Sequence, residues 1–165
     1  MKKITFLTLL CILTLSSIAQ NKFGYIDSQE LMSLMPESKE YETKITEFAK
    51  SLEQQLSAME GEREALYIKF QNNAETYTDL VKQDKETEFN ALNQRVESFK
   101  QNAQIAVQNK QQELLEPILA KARKAIEDVA TEGGYTYIFD RGNGTILYAK
   151  ESENVLSLVK KKLGL

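Results

Sequence analysis

The sequence predicts an α+β chain that is mainly α: a long antiparallel helical hairpin carried on a small body of β-strands. Three observations predict it. Apolar residues step by three and four along two long stretches between Pro36 and Glu132, a spacing that puts them on one face of a helix. A polar break, NNAETYTD (Asn72–Asp79), separates the two stretches. Near the two ends of the chain, KFGYID (Lys22–Asp27) and YTYIFDRGNGTILYA (Tyr135–Ala149) read as strands.

The first 19 residues are set apart. Lys2 and Lys3 precede an apolar run, Ile4 to Leu15, and Ser17-Ile18-Ala19 offers small residues before Gln20, as in a secretory signal peptide. The run is shorter than the roughly 20 residues of a membrane-spanning helix. Cys11 follows bulky Leu10 in the middle of that run, which argues against lipoprotein processing. The expected mature chain from Gln20 therefore holds no cysteine, and the sequence holds no histidine. Disulfides are excluded, zinc, copper and haem sites lack their usual ligands, and Ser-His-Asp or Cys-His catalysis is excluded. Without Lys2 and Lys3, 19 basic residues face 24 acidic ones, a net charge of −5. Such a balance disfavours nucleic acid and anionic membrane surfaces as partners.

The elements then follow in order. Residues 22–27 form a first strand. Asp27 suits a helix N-cap with Glu30 at the third position of a capping box, and the short helix carries Leu31, Leu34 and Met35. It yields before Pro36, which in turn suits the first turn of the next helix. Tyr41, Ile45, Phe48, Leu52, Leu56 and Met59 make a stripe that Arg63 interrupts and that resumes with Leu66, Phe70, Ala74 and Tyr77. The stripe is narrow and its flanks are charged, as in a coiled-coil seam. Thr76 and Thr78 are candidate caps for the return helix, whose stripe is Phe89, Leu92, Val96, Phe99, Ala103 and Ala106. Beyond the weak seam at Lys110 and Glu113 the apolar face widens through Leu114, Leu115, Ile118, Leu119, Ala122, Ile126 and Val129, so this end is buried on more than one side. Gly133-Gly134 ends the helix.

Pro36 and Pro117 lie nearly equidistant from a turn at residue 76, so the two prolines are expected at one level, the foot of an arm roughly 60 Å long. The expected division is 1–19 signal peptide, 20–35 first part of the body, 36–116 arm and 117–165 rest of the body. In that last part, strands 135–140 and 145–149 flank Asn143-Gly144, a strong hairpin turn signal. A closing helix carries Val155, Val159 and Leu163, with Lys160, Lys161 and Lys162 at its end, where positive charge suits the helix dipole.

Motifs that carry chemistry are few. No G-x-x-x-x-G-K-[ST] loop and no G-x-G-x-x-G after a strand occur. Asp140 and Asn143 of DRGNG resemble part of a calcium loop, but the remaining ligands are missing and the hairpin turn is the better reading. No cofactor, no metal and no enzymatic activity are expected. Three strands leave open edges, and open edges seek partners. Self-association through the body is expected, several copies completing a β-barrel, with Phe23, Tyr25, Tyr135, Tyr137, Phe139, Ile146 and Tyr148 at the interface.

The segments FGYIDSQELMSLMPESKEY, QNKQQELLEPILAKARKAIEDVATEGGYTYIFD and ILYA, in that order, resemble the Skp/OmpH family of periplasmic chaperones. The resemblance runs over the whole chain after the signal peptide. It implies a homotrimer in the periplasm, not inserted in the membrane, whose helical arms enclose unfolded outer-membrane β-barrel proteins without using ATP. Tyr67, Phe70, Tyr77, Phe89 and Phe99 on the distal arm are the candidate client contacts, against the plainer reading that they fill the seam. Gly61 is a candidate flexible point within the outgoing helix. The familiar member of the family is strongly basic, whereas this chain is acidic. That argues against lipopolysaccharide binding, leaving Lys121, Arg123 and Lys124 as a local basic patch. It also predicts client holding by apolar and polar contact, little weakened by salt. The alternative function is that of a structural coiled-coil spacer or adaptor of the cell envelope.

Overall fold

The computed structural model describes residues 21–165, so the expected signal peptide lies outside the described residues. The order of elements is β1 (Phe23–Ile26), α1 (Ser28–Leu34), α2 (Pro36–Asn73), α3 (Asp79–Gly133), β2 (Tyr137–Asp140), a 3-10 turn (Glu151–Glu153) and α4 (Leu156–Leu163). None of the described helices is long and apolar enough to cross a membrane. The chain divides into two compact units: the described residues up to Leu31 with Ala122–Leu165, and Met32–Lys121.

The first unit has a small apolar core of Tyr25, Ile26, Leu31, Ala122, Ala125, Val129, Val155, Leu156 and Val159. Its helix ends obey local chemistry. The Glu30 N–H donates to Asp27 Oδ1 at 2.9 Å, so Asp27 is the N-cap that its position predicted. At the end of α3, Gly134 takes φ 65° and the Tyr135 N–H closes back on the Ala130 carbonyl at 2.9 Å, a Schellman ending.

The sheet corrects the expected hairpin. β2 pairs in parallel with β1, in the register Phe23–Tyr137, Gly24–Ile138, Tyr25–Phe139 and Ile26–Asp140. Residues 145–149 form no strand, and Leu147 and Tyr148 are 97% and 83% exposed. The turn explains the outcome. A two-residue hairpin of type I′ needs positive φ at both central residues, and only Gly144 has it, at 74°. Asn143 instead accepts from the Thr145 N–H (3.1 Å) and hydroxyl (2.7 Å) through Oδ1, which turns the chain away from β2. The other edge of β1 is already taken: the Val155 N–H donates to the Tyr25 carbonyl at 2.9 Å, and Tyr25 bridges to Asn154.

In the second unit, α2 and the first part of α3 run as the expected antiparallel pair. Every outgoing stripe position from Tyr41 to Tyr77 is half-buried, Arg63 included, while most of the intervening positions are exposed. On the return helix Leu92 and Val96 are buried, with Phe89, Phe99, Ala103 and Ala106 half-buried around them. Lys100 crosses to Glu60 at 2.9 Å, and Lys121 pairs with Glu37. Thr78 caps α3, its Oγ1 accepting from the Val81 N–H at 3.4 Å, whereas Thr76 donates back to the Asn73 carbonyl at 2.8 Å. Pro117 sits inside α3 and lines a groove with Glu37, Glu40 and Tyr41 of α2. Five residues connect the two helices, and Leu80 in the first turn of α3 is 76% exposed.

Candidate functional site

Two surfaces gather the predicted site residues, one in each unit. In the first, strand alternation puts Phe23, Tyr25, Tyr137 and Phe139 on one face of the sheet. Phe23 and Tyr137 stack with ring centroids 6.1 Å apart and planes 15° apart. Phe139 lies 6.2 Å from Phe23 and 6.0 Å from Tyr137. All three rings are substantially exposed, Tyr137 by 60%. The sheet has two strands only, so the far edge of β2, beside these rings, has no strand partner among the described residues.

Tyr25 shares that face but is 2% exposed. Its hydroxyl donates to Glu151 Oε2 at 3.0 Å, and the Arg141 guanidinium lies 5.2 Å from its ring centre. Burial, and then the Glu151 carboxylate, hold this hydroxyl above the usual phenol range. Tyr135 also packs inside the unit. Its ring fills the space over Gly24 and Gly133, where an added Cβ would lie 3.0 and 2.5 Å from ring carbons. Lys22 Nζ sits 4.0 Å from the same ring and donates to the Gly133 carbonyl at 2.7 Å. Of the seven predicted interface residues, Phe23, Tyr137 and Phe139 therefore form an exposed aromatic face. Tyr148 is exposed beside Leu147 in the unpaired segment, Ile146 is half-buried, and Tyr25 and Tyr135 are packed within the unit.

Asp140, weighed above as a calcium oxygen, instead clamps the end of β2 to the start of α1. Its carboxylate accepts from the Ser28 hydroxyl (2.6 Å), the Ser28 N–H (3.1 Å) and the Gly142 N–H (2.9 Å). Partial burial raises its pKa, but these hydrogen bonds outweigh it and hold the carboxyl below the usual range.

On the arm, Tyr67 meets Phe89 across the seam at 5.8 Å, and Phe70 meets Tyr77 at 6.3 Å. Phe99 lines a shallow groove with Ala58 and Met59. Phe70, Tyr77, Phe89 and Phe99 are half-buried, as seam residues are, while Tyr67 is exposed and its hydroxyl accepts from Gln71 Nε2 at 2.5 Å. The structure adds apolar residues that sequence reasoning missed: Ile68, Leu80, Val81 and Ile105 are all exposed. Their signal was present, since each is an apolar residue out of step with the three-and-four stripe.

The family model described as outer membrane protein (OmpH-like) matches residues 22–163. Among solved structures, the chain resembles an OmpH-like protein from Caulobacter crescentus CB15 that has been proposed as an outer membrane chaperone. The alignment has a TM-score of 0.77 and 12% identity, covering 88% of this chain and 85% of that one, a likeness of fold. A search of curated proteins finds no match.

Proposed function

The chain belongs to the OmpH-like outer membrane protein family, and from that premise we propose that it is an ATP-independent holdase for unfolded outer-membrane β-barrel proteins in the periplasm. The observation that carries the proposal is the arm. It is a two-helix unit whose seam is mostly half-buried and which presents Tyr67, Ile68, Leu80, Val81 and Ile105 to solvent. A surface of dispersed apolar side chains on a stiff scaffold suits loose, adaptable contact with an unfolded chain, which itself exposes apolar residues at many places.

The body has a separate task in this reading: assembly, as a homotrimer. The aromatic face of Phe23, Tyr137 and Phe139, the free edge of β2 and the exposed irregular segment around Leu147 and Tyr148 would join copies of the chain. Edge pairing and burial of aromatic area would act together there.

The test is dilution of a urea-unfolded outer-membrane β-barrel protein into buffer with and without residues 20–165. Turbidity should stay low at about one trimer per client, with no nucleotide added. An assembled protein that leaves aggregation unchanged would overturn the holdase reading in favour of a spacer or adaptor of the envelope.

A further inference from the structure

The charge of this protein is not spread along it. In the first compact unit, counted from residue 20, eight basic residues balance eight acidic ones. In the unit Met32–Lys121, 11 basic residues face 16 acidic ones, so the whole net charge of −5 sits on the arm. Several of the arm's cations are neutralised in place: Lys44 by Glu40, Lys85 by Glu88, Lys100 by Glu60 and Glu97, Lys110 by Glu113 and Lys121 by Glu37. Glu64, Glu75 and Glu86, on the distal part that carries Tyr67, Ile68, Leu80 and Val81, are exposed and in no ion pair among the described residues.

An apolar surface with this surrounding field does not treat all unfolded chains alike. Charge complementarity sets encounter and discrimination more than raw affinity, because like charge set against like costs binding outright. Its reach is about 8 Å at physiological salt, enough to bridge carboxylates and a chain lying on neighbouring apolar side chains. Resting on the holdase reading, we propose that the arm selects its clients by charge: it holds unfolded segments whose aromatic and aliphatic residues are accompanied by lysine and arginine, and it disfavours acidic ones. Sequence-wide balance predicted little salt dependence. Localisation of the charge on the arm restricts that expectation to clients of no net charge.

The experiment uses residues 20–165 with one basic urea-unfolded outer-membrane β-barrel protein, and the same protein with its lysines succinylated, which reverses their charge. At low salt the unmodified client should bind roughly tenfold or more tightly than the succinylated one, and 0.3 M salt should remove most of the difference. A Glu64→Lys, Glu75→Lys, Glu86→Lys variant moves the arm unit from −5 to +1, leaves the seam untouched, and should reverse the preference with its helix signal unchanged. Equal binding of both clients at low salt, or a variant with the preference of the parent, would overturn charge selection and leave the holdase reading standing. Failure to hold either client would overturn the holdase reading itself.

Discussion

Asp140 and Gly24 show how single residues set the body. Asp140 receives three hydrogen bonds from two segments, and its folded pKa is lowered, so its contribution is fully present above the unfolded value of about 4 and is lost as pH falls through the folded value. Asp140→Asn should therefore cost about 1 kcal/mol in urea unfolding at pH 7, and the gap to the parent should narrow below pH 4. A constant gap from pH 7 to pH 3 would mean that the charge of Asp140 has no part in the clamp. Gly24 was read in the sequence only as part of a strand. In the structure a Cβ there would press on the Tyr135 ring and on Val155, each 3.0 Å away. Gly24→Ala should destabilise by about 1–3 kcal/mol, measured by thermal unfolding. No spacing rule reveals that demand, because it depends on where Tyr135 arrives from a distant part of the chain.

At the scale of elements, the helices were legible and the strands only in part. The three-and-four stripes gave both long helices, and Pro36, Asp27 and Gly133-Gly134 gave helix ends, because each acts through its own backbone neighbours. The seam also places Gly61: it is exposed inside α2, with nothing near its Cβ position. Gly61→Ala should then raise the stability of the arm by about 1 kcal/mol. An unchanged or lowered melting temperature would point to strain at that position and reopen Gly61 as a hinge. The strand after Asn143-Gly144 was misread because a turn signal states what a dipeptide tolerates, not what its neighbours permit. Asn143 was drawn into hydrogen bonds with Thr145, and β2 found β1 instead. The aromatic face remains the element to probe. Tyr137 and Phe139 are exposed in the single chain, so Tyr137→Asp with Phe139→Asp should keep the helix signal and lose the oligomer in sedimentation. A double variant that sediments like the parent would remove this face from the proposed interface.

At the scale of the whole molecule, the prediction is one of mass: residues 20–165 should run as a trimer by native mass measurement and gain one client when mixed with an unfolded outer-membrane protein. A monomer that still binds client would separate assembly from holding. The helical arm, its seam, the caps at Asp27 and Thr78, the acidic balance and the family resemblance were legible along the chain, since periodicity, capping and charge are properties of neighbours in sequence. Tertiary structure alone set the parallel pairing of β1 with β2, the burial of Tyr25, the packing of Tyr135 over Gly24, and the exposure of Leu80 and Leu147. The cause is shared: each depends on which distant segments meet, and a strand edge or a ring is occupied or left free only once those partners have been chosen.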